Sequence, residues 1–140
     1  MEITGQCHCG AIRYRIDDAA PRHALCHCAD CRRWSGAPLV GWLAVPESAL
    51  TVSGCPAEYR SSAFASRHFC SACGTGLFYR NPVTLPGLVD VQSGTLDHVE
   101  AIPPQMQMML AEKVAWLDQL GRIPGIARYP AADAGAGGDA

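Results

Sequence analysis

The chain has 140 residues, with eleven lysines and arginines against thirteen aspartates and glutamates, for a formal net charge of -2. A domain near this length buries roughly 68–70% of its unfolded surface and so holds a core of its own, and basic residues scattered without a stripe exclude the footprint of a nucleic-acid or anionic-membrane partner. The opening MEITGQCHCGAIRYRIDDAA has no basic start followed by an apolar stretch, and no apolar run reaches the roughly 18 residues of a membrane span, so a soluble, cytoplasmic protein is expected.

In chain order, AIRYRI (Ala11 to Ile16) alternates apolar and charged residues and reads as a half-buried strand, and LVGWLAV (Leu39 to Val45) reads as a buried one. PESAL (Pro46 to Leu50) has proline at the start of one possible helical turn. GLFYR and GLVDVQS are further short strands between glycine and proline punctuation. In MQMMLAEKVAWLDQL the residues Met106, Met109, Leu110, Leu117 and Leu120 fall near helical spacing, and this periodicity predicts a helix. The last ten residues, AADAGAGGDA, lack side chains that pack and are expected to be disordered. The expected organisation is one domain over residues 1–130 and a tail over 131–140.

Eight cysteines are the dominant chemical signal. They make up roughly 6% of the chain, below the roughly 8–10% of secreted disulfide scaffolds, and in a reducing compartment metal ligation is the better reading. Cys7 and Cys9 form GQCHCG, Cys26, Cys28 and Cys31 form LCHCADC, Cys70 and Cys73 form FCSACG, and Cys55 stands alone in SGCPAEY. A C-x-C pair on a strand presents both sulfurs to one side, and a C-x-x-C followed by glycine does the same from a tight turn, with Gly74 free to take the left-handed backbone.

Zinc takes four thiolates where it is structural and three protein ligands where it is catalytic, so the count divides into four plus three. Cys7 and Cys9 with Cys70 and Cys73 then make a clip, and Cys26, Cys28 and Cys31 make a site with one position free. Spacing alone also allows a two-knuckle ribbon of Cys28 and Cys31 with Cys70 and Cys73, and thiolates also hold iron–sulfur clusters or copper(I).

The ordered motifs GQCHCG, CHCADCRRWSG, RHFCSACGTGLFYR and SGTLD resemble the glutathione-dependent formaldehyde-activating enzyme family, whose domain is shared with centromere protein V. The resemblance runs from about Ile3 to Pro130. It implies a mainly β, Mss4-like fold of small antiparallel sheets with few short helices, two Zn2+ ions, and glutathione as cosubstrate. By that resemblance Cys7, Cys9, Cys70 and Cys73 are structural zinc ligands, Cys26, Cys28 and Cys31 are catalytic zinc ligands, and the activity is that of a carbon–sulfur lyase joining a small thiol such as glutathione to formaldehyde or a related aldehyde. It also implies a strand and then an irregular stretch where periodicity predicts a helix. The competing class is a non-catalytic, zinc-stabilised binding module with both zincs structural.

Arg32 matches the family's C-x-x-C-R and is the candidate for a glutathione carboxylate, which a guanidinium meets in bidentate fashion. Arg33 carries the same chemistry one residue on, and Trp34 and Trp42 are expected in the core or a cleft wall. His27 and His8 lie between ligands, so their side chains are expected to point away from the sulfurs; His68 is expected on a strand or the surface, and Cys55 outside both sites. The chain departs from the family near its carboxyl end. Where the family often has a histidine followed by an aromatic and later a proline–tryptophan pair, this chain has Gln107, Met108 and Met109, then Ala115 before Trp116.

Overall fold

The computed structural model describes residues 2–17 and 20–130; the disorder expected over 131–140 lies outside the described residues. The strands β1 (Glu2–Gln6), β2 (Arg13–Asp17) and β5 (Leu50–Ser53) form an antiparallel sheet in the order β1-β2-β5. In β2, Tyr14 and Ile16 are buried while Arg13, Arg15 and Asp17 face water, the period-two pattern that the sequence carries. The remaining strands are β3 (Arg22–Cys26), β4 (Val40–Pro46), β6 (Ala57–Arg60), β7 (Ser66–Phe69), β8 (Gly76–Arg80), β9 (Leu88–Gln92) and β10 (Met106–Met108). They form one sheet in the order β10-β3-β4-β9-β8-β7-β6, with β10 parallel to β3 and the other neighbours antiparallel. Among the described residues the α-helical part is α1 (Ala29–Ser35), and PESAL contributes a 3-10 turn at Glu47–Ala49. The fold is mainly β, as expected.

The helix that periodicity predicts over Met106 to Leu120 does not form. Its place is taken by β10 and by 3-10 segments at Leu110–Glu112 and Ala115–Arg122. Two causes are visible. Backbone groups of this segment find partners on β3 and just beyond it, with the His27 N–H donating to the Met108 carbonyl at 3.1 Å, and Met109 takes a left-handed conformation, φ 59°, that interrupts helical continuation. Of the five periodic residues, Met106, Met109, Leu110 and Leu120 stay exposed and Leu117 is partly buried, so this face is not buried as that of a core-facing helix would be.

The larger sheet has two unlike faces. Leu43, Val45, Phe78, Val89 and Val91 pack against Ile3, Tyr14 and Ile16 of the small sheet, with the Tyr14 ring edge-on to Phe78 at 5.5 Å. Each such side chain contributes about 1.5–3 kcal/mol on burial. The SGTLD motif fastens this layer. The Thr95 hydroxyl donates to the Gln92 carbonyl at 2.7 Å and accepts from the Tyr14 hydroxyl at 2.7 Å, and the Thr4 hydroxyl donates to the Asp97 carboxylate. Ser93 sits so close to Gly41 that a Cβ there would come within 1.9 Å of its Oγ. The opposite face carries Arg22, Cys26, Trp42, Ala44, Arg67, Tyr79 and Asp90, all lining one cavity.

Candidate functional site

Cys7 and Cys9 sit in a turn that follows β1, not on the strand. The Cys7 N–H donates to the Ile12 carbonyl at 3.0 Å, the Gly10 N–H to the Cys7 carbonyl at 3.1 Å, and the Ile12 N–H to Cys7 Sγ at 3.3 Å. A second turn joins β7 to β8: Gly74 donates to the Cys70 carbonyl at 2.7 Å and takes φ 82°, the left-handed backbone the glycine permits. The two turns bring the sulfurs of Cys7, Cys9, Cys70 and Cys73 within 4.8 Å of one another, with Cys7 to Cys9 at 3.6 Å and Cys9 to Cys70 at 3.8 Å. Thiolates about 2.3 Å from a tetrahedral zinc stand about 3.8 Å apart, so this set fits that ion. Hydrogen bonds from Thr75 pull the Cys73 thiol down to about 5, toward the thiolate a metal needs.

Cys26 ends β3, Cys28 caps α1, and Cys31 lies in its first turn. The Cys28 sulfur accepts the Cys31 N–H at 3.3 Å, as a serine or aspartate cap would. Gly36, at φ 72°, closes the helix by donating to the Arg32 carbonyl at 2.7 Å. The three sulfurs again lie within 4.8 Å of one another. Burial pushes the Cys26 thiol up to about 12. At Cys28 burial is outweighed by the Cys31 N–H and the neighbouring sulfurs, which hold its thiol below the ordinary range.

Neither His27 nor Cys55 joins this set. His27 is buried and donates from Nε2 to Gln107 Oε1 at 2.8 Å, so the residue that departs from the family pattern tethers the histidine between two of the cysteines. Cys55 is exposed between β5 and β6. Glu112 supports the cluster from the other side, its Oε1 accepting the Ala29 N–H at 3.3 Å.

The three sulfurs open on a cavity of 530 Å³ walled by Trp42, Tyr79, Arg67, Met106 and Met108, a size suited to a small-molecule ligand. Arg67 is buried at 6% exposure, and both of its terminal nitrogens lie 3.9 Å from Cys31 Sγ. Its guanidinium also lies 4.8 Å from the Tyr79 ring and 5.8 Å from Trp34. Among the described residues it has no carboxylate partner. A buried guanidinium needs a counter-charge, and among the described residues the ionisable group in contact with it, besides the Tyr79 ring, is the Cys31 sulfur. Three thiolates, one divalent cation and this guanidinium would cancel, so the donor set fits a zinc ion, with Arg67 placed to complete the charge balance.

A second cavity of 320 Å³, lined by Arg33, Trp34 and Tyr59, shares Asp30, Arg67 and Tyr79 with the first. Arg32 lines neither of these cavities; its Nε donates to the His27 carbonyl at 3.4 Å. Trp42 stands in the wall beside Cys26 and Cys31, and Trp34 stacks on Tyr59 at 5.7 Å. Arg67 and Asp90 were not prominent in the sequence. The signal for Arg67 is its strand parity with Phe69 just before the FCSACG knuckle, which puts a charged side chain on a covered face.

Comparison with known proteins gives the family. Residues 2–112 match the family model described as glutathione-dependent formaldehyde-activating enzyme. A protein of Halomonas elongata, provisionally named a glutathione-dependent formaldehyde-activating enzyme, is 32% identical over 133 residues, covering 84% of this chain and 81% of its own. A Schizosaccharomyces pombe protein described as an uncharacterised lyase is 33% identical over 78 residues, 56% of this chain and 57% of its own length. The crystal structure of a Rhodobacter sphaeroides protein superposes with a TM-score of 0.59 at 24% identity, covering 75% of this chain and 99% of that one, a likeness of fold.

Proposed function

The chain belongs to the glutathione-dependent formaldehyde-activating enzyme family, and from that premise we propose that it is a cytoplasmic zinc enzyme of carbon–sulfur lyase type, joining glutathione to formaldehyde or handling a related thiol–aldehyde adduct. The observation that carries this reading is the contrast between four sulfurs that complete a tetrahedron and three that open on a 530 Å³ cavity. In this proposal Cys7, Cys9, Cys70 and Cys73 hold a structural zinc, and Cys26, Cys28 and Cys31 hold a catalytic one. Zinc bound there supplies a fourth position at which an incoming thiol is held as thiolate near neutral pH.

Arg67 balances the charge of the three sulfurs from the cavity wall, where it is held against Cys31 and Tyr79. Trp42, Tyr79, Met106 and Met108 line the cavity and hold thiol and aldehyde together, so that the substrate sulfur attacks the carbonyl carbon. One C–S bond forms, the C=O pair moves to oxygen, and the proton lost by the thiol ends on that oxygen. Thiols and aldehydes combine without help, so proximity is the main contribution. Arg32 is placed to fasten the His27 turn to α1.

The test is zinc content per chain together with the rate of exchange between glutathione, formaldehyde and their adduct, followed by magnetization-transfer NMR. Two zincs and accelerated exchange in the wild type are expected, with Cys28→Ser folded, holding one zinc and giving only the uncatalysed rate. Wild-type exchange at the uncatalysed rate with two zincs bound would favour the binding module instead.

A further inference from the structure

The cavity contains a charged pair that the chemistry above does not use. Arg22 on β3, Ala44 on β4 and Asp90 on β9 are direct cross-strand partners, so their side chains share the face that bears the cysteines. All three line the cavity. Arg22 and Asp90 are two strands apart with Ala44 as the residue between them in the sheet, and its small side chain leaves room on the cavity face for part of a ligand. Among the described residues the Asp90 carboxylate has no hydrogen-bond partner and no salt bridge. A half-buried carboxylate left this way is costly unless something else meets it. Burial pushes its carboxyl up to about 6, with Arg22 pulling the other way, so the group is largely ionised at neutral pH.

Its place in the sheet says what it meets. Arg22 precedes Cys26 by four residues on one strand, roughly 13 Å at about 3.3 Å per residue. Asp90 shares the Arg22 row. That separation is too great for a group acting at the sulfur and matches the reach of a short extended peptide, at most about 3.6 Å per residue, together with its side chains. We propose that Asp90 and Arg22 form a recognition site for a zwitterionic α-amino-acid end of the thiol substrate, Asp90 taking the ammonium and Arg22 the carboxylate. This rests on the thiol-site reading above and narrows its substrate class to thiols with a free α-amino-acid group remote from sulfur. Arg67 is not available for the role, being held against Cys31 and Tyr79.

The experiment is calorimetric titration of glutathione and N-acetylglutathione into the zinc-loaded protein, with 2-mercaptoethanol as a probe of the thiol site alone. The wild type is expected to prefer the free amine by about tenfold or more, the scale of one charge-assisted hydrogen bond. Asp90→Asn is expected to bind the two peptides equally while binding 2-mercaptoethanol as before. Ala44→Leu, which fills the gap between the charges, is expected to weaken glutathione more than 2-mercaptoethanol. Equal affinity of the wild type for both peptides, or a preference unchanged in Asp90→Asn, overturns the proposal and leaves the thiol site standing. If 2-mercaptoethanol itself does not bind, the thiol-site reading falls and this proposal with it.

Discussion

The two cysteine clusters use the same ligand atom at nearly the same spacing and differ in what surrounds it. Cys7, Cys9, Cys70 and Cys73 come from two turns that lie about 60 residues apart in the chain, so a metal between them closes a long loop; the separation of Cys9 and Cys70 is 61 residues. Cys26, Cys28 and Cys31 come from six consecutive residues, where a strand ends and a helix begins, so a metal there closes little. The first cluster has four donors and the second has three, a cavity and a buried guanidinium. The difference teaches that loop closure and donor count give two clusters of the same ligand unequal weight in the fold, which is the basis on which we propose one as structural and the other as the substrate site.

Removing one donor from each cluster breaks this comparison most sharply. Structural zinc in finger peptides is worth about 10–16 kcal/mol, as much as a whole domain's stability of about 5–15 kcal/mol. Cys70→Ser is therefore expected to abolish the cooperative melting transition and release zinc, read by circular dichroism and metal content, whereas Cys28→Ser keeps its transition because serine still caps α1. Similar melting of the two variants would mean that both clusters serve the fold.

A smaller effect is expected at Arg67. Replacing it with glutamine leaves the thiolates without their counter-charge and removes the stack on Tyr79. Loss of a partner in the outer shell of a metal site costs about 10–100-fold in metal affinity or activity. Zinc competition with a chromophoric chelator should show that loss at the three-sulfur site and none at the four-sulfur site. Lysine should not restore it, because a point charge lacks the planar face that packs on the rings.

The smallest effect belongs to Asp90. Its carboxyl titrates at about 6 in the folded chain against an ordinary 3.8, so the folded state holds the extra proton between these values. Stability therefore falls as pH rises from about 4 to about 6 and stays lowered above. Asp90→Asn is expected to be more stable than the wild type at pH 7.5, by on the order of 2 kcal/mol, with the gain fading toward pH 4. Denaturant titrations at the two pH values measure it. A gain at neutral pH alongside weaker glutathione binding would mark a residue kept for the site at the cost of the fold.

Much of this was legible in the chain. Alternation in AIRYRI, the apolar run LVGWLAV, and the glycine and proline punctuation around GLFYR and GLVDVQS located β2, β4, β8 and β9, because these signals are local to each segment. The cysteine spacings marked the local ligand groups, since ligands two or three residues apart meet one ion through local geometry, but spacing alone left open which groups combine; the fold brings Cys7 and Cys9 to Cys70 and Cys73 and leaves Cys26, Cys28 and Cys31 together. Gly74 announced its left-handed turn for the same local reason. The sequence was misleading where structure depends on what lies alongside. The periodicity of residues 106–120 describes a helix in isolation, but β3 offers this segment a hydrogen-bonding edge and most of its periodic apolar residues stay exposed. Arg67 and Asp90 are ordinary charged residues in sequence; only the cross-strand register, set by pairing between segments far apart in the chain, places one against Cys31 and the other opposite Arg22. Local spacing determined which atoms this protein offers to a metal, and the tertiary fold decided which charges face the space beside it, because register is a property of paired strands and not of either strand alone.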